Sequence, residues 1–223
     1  MCSALAPWNA NAGVIQVSGT GTVRAKPDLA LVRVGVESKA STIQEALERN
    51  NRAMRALLAR IQELGIAKED VFTSQFSVGE TTRYDKETSE QVPTGFSASN
   101  EVTLTIRKVG NTGNILNQLS SAEASRIGGL EFTFSNPESL LNQARLRALK
   151  DAKRKAEVYA RGMSVKLGAI TDVVEVRSYV PTEGALYGSA DLLAPGDGTA
   201  PVPVSDGARA LSVDATVTFQ TKE

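Results

Sequence analysis

The chain has 223 residues, 41% of them hydrophobic, with 25 basic and 25 acidic side chains and no histidine. A formal net charge of zero excludes a whole-surface electrostatic grip on nucleic acid, and the missing histidine removes the commonest general base and metal ligand. The single cysteine, Cys2, cannot form an internal disulfide, and no apolar run approaches the roughly 18 residues that span a bilayer.

Residues 1–12 read as a flexible N-terminal segment or a leader remnant. Ala10-Asn11-Ala12 has the A-x-A form of a signal-peptidase site, but a basic n-region and a full apolar h-region are missing. Three readings stay open: a trimmed leader, a remnant around a lipid-modified Cys2, and an ordinary terminus. The reading for location follows: periplasm or cell envelope if a leader was trimmed, cytoplasm otherwise.

The segment VSGTGTVRAKPD, residues 17–28, carries a G-x-G at Gly19 and Gly21. A dinucleotide loop needs a third glycine and a helix whose free N–H groups face the pyrophosphate. Here Arg24 stands in the third glycine's place, and the following KPDLALVRVGVE alternates like a strand. The two glycines therefore predict a bend or bulge between two strands rather than a phosphate cradle.

Beyond them, ALVRVGV places Ala30, Val32, Val34 and Val36 on one side of a strand. Thr42 with Glu45 makes a capping-box pattern. It opens a helix whose apolar stripe is Ile43, Leu47, Met54, Leu57, Ile61 and Leu64, closed at Gly65. VFTSQFSV and FSASNEVTLTIR predict two further strands, TGNILNQLSSA a short helix, and LEFTF another strand. Asn136 and Pro137 then open a long helix, on which Leu141, Ala144, Ala148, Ala152, Ala156, Tyr159 and Met163 form the inward stripe. TDVVEVRSYV and LSVDATVTF are the last strands.

The order is β-β-α-β-β-α-β-α-β-β: an α+β fold with an antiparallel sheet and helices packed on one face. The part from about residue 27 to 134 follows the ferredoxin-like split β-α-β order. Residues 13–223 read as a single domain, with a long Gly/Pro-rich loop at 181–208.

These segments resemble the SIMPL-domain family of bacterial cell-envelope proteins. The resemblance runs through VSGTGTVRAKPDLALVRVGVESKA, GFSASNEVTLTI and ARLRALKDAKRKAEVYARGMSVKLGAITDVVEV to PVPVSDGARALSVDATVTF, about residue 14 to 219. It implies an α+β fold, an export signal in most bacterial members and a tendency to self-associate. It brings no catalytic residues.

The search for chemistry yields no constellation. GFSAS and GMSVK are near misses for a nucleophile elbow, and without histidine neither builds the usual triad. Ser97 and Ser99 read as a solvated sheet face. Asp28, Glu37, Glu101, Glu131, Asp172 and Glu175 read as outward and separate. Asp191, Asp197 and Asp206 lack the calcium-loop pattern. The expectation is a non-enzymatic protein without metal or cofactor that associates with itself, possessing no transmembrane helix and no nucleic-acid partner, in envelope maintenance or stress tolerance.

Two surfaces are singled out. Leu186, Tyr187, Leu192 and Leu193 form an apolar cluster in the 181–208 loop and are the candidate self-association residues. Arg147, Lys150, Lys153 and Arg154 on the basic third helix are the candidate surface for an anionic ligand or lipid, and hence for peripheral membrane association. The polar sheet face is the other candidate platform for a small anionic or hydrophobic ligand.

Overall fold

The computed structural model describes residues 13–120, 125–179 and 202–222. Its elements are β1 (Val14–Ala25), β2 (Leu29–Ala40), α1 (Ile43–Glu63), β3 (Val71–Asp85), β4 (Glu90–Ile106), α2 (Thr112–Ser120), β5 (Ser125–Thr133), α3 (Pro137–Gly162), β6 (Lys166–Tyr179) and β7 (Arg209–Lys222). The α+β class and the element order match the sequence reading. The strands divide, however, between two antiparallel sheets: β1-β7-β6 and β3-β4-β2-β5. Period-two alternation assigns a residue to a face but does not choose the strand's partner.

The chain separates into two compact units. Among the described residues, one holds 26–120, 125–135 and 202–207, the other 13–25, 136–179 and 208–222. In the first, β2, α1, β3, β4, α2 and β5 follow the split β-α-β path, and β2 lies between β4 and β5. Ala30, Val32, Val34 and Val36 of β2 join Val102, Leu104 and Ile106 of β4 and Phe132 of β5 on one sheet face. Met54, Leu57 and Ile61 of α1 and Ile115, Leu116 and Leu119 of α2 close that core. Val202 and Val204, from the C-terminal end of the predicted loop, pack against the same core.

Helix α1 begins where its capping pattern places it: Thr42 accepts the Glu45 amide at 3.2 Å. Glu45 itself accepts from the Ser41 hydroxyl at 2.9 Å, so the capping box is not reciprocal. Gly65 takes the left-handed conformation just past the helix, at φ 77°. The inward stripe is Ala46, Asn50, Met54, Leu57 and Ile61. Ile43, expected on it, is exposed, while Ala46 three positions on is fully buried. Asn50 is fully buried; its Nδ2 donates to the carbonyls of Val36 (3.1 Å) and Ala98 (2.8 Å).

Strands β3 and β4 form a longer hairpin than the sequence predicts. Residues 79–95, rich in Thr, Gly and charge, lack the apolar alternation that marked the earlier part. They still pair, from Gly79↔Ser97 to Asp85↔Glu90. Strand β2 stops at Ala40↔Phe96, so the hairpin's outer part is a two-stranded ribbon.

In the second unit α3 covers β1 and β7. Asn136 caps it by accepting the Ser139 amide at 3.2 Å, with Pro137 in the first turn. Its buried stripe is Leu141, Ala144, Ala148, Ala152, Ala156 and Ala160. Tyr159 and Met163, read as inward, are exposed: a strict four-residue step selects Ala160, the smaller side chain. Opposite stand Leu211, Val213, Ala215, Val217 and Phe219 of β7, all buried. The other face of this sheet carries a polar ladder, Gln16–Thr218, Ser18–Thr216 and Thr20–Asp214.

Candidate functional site

The question raised by Gly19 and Gly21 has a structural answer that differs from the bend or bulge predicted. Strand β1 pairs with β7 residue for residue from Val14↔Gln220 to Ala25↔Arg209, without a register shift. A Cβ on Gly19 would stand 2.1 Å from the Ala148 carbonyl oxygen, and one on Gly21 1.9 Å from that of Ala144. The glycines let the backbone of α3 lie against β1. The alanines at 144, 148 and 152 complete that contact from the helix side.

This close approach brings polar side chains of α3 to the outer edge of β1. Arg147 donates to the Thr22 carbonyl. Asp151 accepts the Thr20 amide at 3.2 Å. Lys155 donates to the Ser18 carbonyl at 2.8 Å. Ser18, Thr20 and Thr22 alternate, so these are the backbone groups that turn away from β7. An edge that would invite another strand is thereby covered. Asp151 also pairs with Arg154 and Lys155, each at 2.7 Å. The Lys155 ammonium, with the Arg154 guanidinium and the Thr20 amide, holds the Asp151 carboxyl well below the usual carboxylate range.

The four basic residues singled out from the sequence therefore divide. Arg147 is spent on β1 and Arg154 on Asp151. Lys150 and Lys153 are exposed and have no ion-pair partner among the described residues. Arg145 at the helix's other flank bridges Glu138 and Glu175, the latter at 2.8 Å. Sequence reasoning missed Asp151 and Lys155 as an edge cover. Their i, i+4 spacing was visible, but it reads equally as an ordinary surface ion pair.

Four of the six strand-borne acidic residues, Asp28, Glu37, Glu101 and Glu175, take different partners. Asp28 accepts the Ser135 amide at 2.7 Å, and hydrogen bonding by the Ser135 hydroxyl lowers its pKa. Glu37 pairs with Arg126, and Glu101 accepts from the Ser74 hydroxyl at 3.0 Å. Among the described residues, no group of three or more Cys, Asp or Glu side chains is arranged to hold a metal ion. Leu186, Tyr187, Leu192 and Leu193 lie outside the described residues, as do residues 1–12.

Unlike β1, strand β6 presents apolar side chains at its sheet's other edge. Ile170 is 53% exposed, Val173 49%, Val174 49% and Val176 63%. Val173 stands opposite Val217 on the helix-covered face, and Val174 opposite Thr216 on the polar face. Both faces of this edge thus carry exposed apolar side chains, beside Asp172 on the polar face and the Arg145-paired Glu175 on the helix-covered one. In the four-stranded sheet, β3 is likewise terminal and exposes Phe72, Phe76, Val78 and Tyr84.

Fold and surface together define an α+β protein of two helix-covered antiparallel sheets, with strand edges as its conspicuous surfaces. The chain belongs to the SIMPL family, described as "Protein of unknown function (DUF541)", whose profile matches residues 15–219. It is similar to the 26 kDa periplasmic immunogenic protein of Brucella melitensis biotype 1, 30% identical over 212 residues covering 93% of this chain and 84% of that protein. It is also similar to the uncharacterized protein YggE of Edwardsiella ictaluri, 25% identical over 178 residues, covering 79% of this chain and 74% of that protein. With YggE of Escherichia coli K12 it shares 25% identity over 169 residues, 75% and 68% of the two chains.

Proposed function

We propose that this chain is a non-enzymatic, self-associating protein of the periplasm that serves in envelope maintenance or stress tolerance. The observation that carries the reading is the terminal β6 edge, which exposes Ile170, Val173, Val174 and Val176. Burying such an edge removes apolar surface from water at about 25 cal/mol per Å² and pairs open backbone groups. A periplasmic setting is supported by the name of the Brucella relative. No helix among the described residues is long and apolar enough to cross a membrane.

Light scattering coupled to size exclusion tests the assembly. The full chain is expected to run as a discrete species several times the 23.6 kDa subunit mass, since homo-oligomers usually close by symmetry. Val174→Lys with Val176→Lys should lower that mass while leaving far-ultraviolet circular dichroism unchanged. Deleting residues 184–200 tests the part played by Leu186, Tyr187, Leu192 and Leu193. A full-length chain that stays monomeric at high concentration refutes self-association. An oligomer insensitive to the β6 substitutions refutes the edge.

A second reading rests on Lys150 and Lys153, exposed and without an ion-pair partner among the described residues. Here α3 binds an anionic surface such as a lipid headgroup layer. Co-flotation with phosphatidylglycerol vesicles, lost with Lys150→Glu and Lys153→Glu and absent with phosphatidylcholine, is the expected result. Equal flotation with both lipids refutes it.

A further inference from the structure

Between α1 and the start of β3 runs a groove of about 550 Å³. Its floor is apolar: Ile61 and Ile66 are buried, with Leu58 and Val71 at the sides. Two cations, Arg55 and Lys68, line it, and no carboxylate does. Neither cation has an ion-pair partner among the described residues. Farther along β3, Phe76 and Val78 are exposed. The register sets Phe76 opposite Asn100 and Val78 opposite Ala98, and the Ala98 side chain lies in the helix-covered core. Phe76 and Val78 thus point to the side on which α1 sits, but beyond its cover. The outer edge of β3 pairs with no strand among the described residues.

We propose that this groove and the free edge of β3 bind an extended peptide bearing a carboxylate, added to the sheet as a further strand. Three features select that occupant. The open edge offers backbone donors and acceptors at strand spacing, which only another extended chain satisfies in series. On the helix-side face of β3, Val71 and Thr73 precede a bulge at Ser74, and Phe76 and Val78 follow it, so three of these four positions offer an apolar seat to a side chain of the added strand. Arg55 and Lys68 supply positive charge where the groove meets the strand's beginning, and so fix the end at which the carboxylate lies. An aliphatic acid fills the groove and meets the cations, but it leaves the backbone edge unpaired. This surface is distinct from β6, so the inference stands or falls apart from self-association.

The test uses fluorescence anisotropy with the full chain. The probes are short fluorescein-labelled peptides alternating Val with Thr, Leu with Ser, or Phe with Thr, each with a free C-terminal carboxylate. Each is compared with its C-terminal amide and with a form N-methylated at alternate residues. Saturable binding is expected for at least one free acid. Amidation should weaken it by about tenfold, as should Arg55→Ala with Lys68→Ala in the protein. N-methylation should abolish it, since it removes strand donors while keeping charge and apolar surface. Leu58→Glu, at an exposed helix position, should weaken every probe by about tenfold or more without changing the circular dichroism. The proposal is overturned by no saturable binding by any free acid, by equal binding of acid and amide, or by equal binding of the N-methylated form. Oleate binding at the groove without peptide binding assigns it to an aliphatic ligand and overturns it too.

Discussion

Replacing Gly21 by alanine adds a single methyl group at the glycine of the second unit that α3 approaches most closely. That carbon would sit 1.9 Å from the Ala144 carbonyl oxygen and 2.5 Å from the Ala148 amide nitrogen. Both are backbone atoms of a helix interior, so no rotamer change relieves the overlap. Ordinary contact lies near 3.5 Å, and α3 must retreat by more than about 1 Å. Overpacking of this kind costs about 1–3 kcal/mol. The retreat also stretches the hydrogen bonds from Arg147, Asp151 and Lys155 to β1, each worth about 1 kcal/mol. Restricting the unfolded chain returns only about 0.4–1 kcal/mol. The net expectation is a loss of about 3 kcal/mol. With a urea slope of about 2 kcal/mol per molar, the midpoint should fall by roughly 1–2 M. Gly79→Ala is the matched control: no atom lies within 4 Å of its added carbon, and its effect should stay within about 0.5 kcal/mol. A Gly21→Ala midpoint within that margin of the parent, or an equal loss for Gly79→Ala, would refute the close-approach account.

The same contact from the helix side makes Ala152→Asp costly, about 3 kcal/mol or more, because a buried carboxylate gains no partner there. Arg154→Ala, on the exposed face, should change a urea melt by no more than about 0.5 kcal/mol. Asn50→Asp replaces a donor to two buried carbonyls with a buried acid, and should cost about 3 kcal/mol or more at pH 7. Burial raises that acid's pKa, so the folded state holds its proton to higher pH and the loss should shrink as pH falls toward 4. For Asp151 the sign is opposite: its folded pKa is depressed. Its contribution is present above about pH 4 and is lost as pH falls further. Asp151→Asn should flatten the acid limb of a stability–pH profile, and an unchanged limb would count against the Lys155 and Arg154 pairing.

Much of the architecture was legible because burial imposes a period. Val32, Val34 and Val36, or Leu211, Val213 and Val217, declare a strand with one covered face. Thr42 and Asn136 declare helix starts by offering acceptors to orphan amides, and Pro137 by lacking an amide N–H. What alternation cannot encode is strand partnership, and the division into two sheets was therefore not readable. Asn50 was hidden because an amide within an apolar stripe looks outward until two strand carbonyls are placed above it. Gly19 and Gly21 were read as local backbone devices because their partner, α3, lies more than a hundred residues away. The basic face of α3 was visible as charge. Its use on β1 depended on that same distant contact.

The cover that Arg147, Asp151 and Lys155 place over β1 limits how far the three-stranded sheet can be extended. Strand addition there is possible at one side only, so the sheet has a valence of one. Two copies meeting through β6 would consume both growing ends at once and leave a doubled sheet bounded by β1 on either side. Such a contact terminates itself at two copies, so a mass several times that of the subunit requires a second contact beside it. Stripping the cover, for example by shortening those three side chains together, would raise the valence to two and convert a closed pairing into a propagating one.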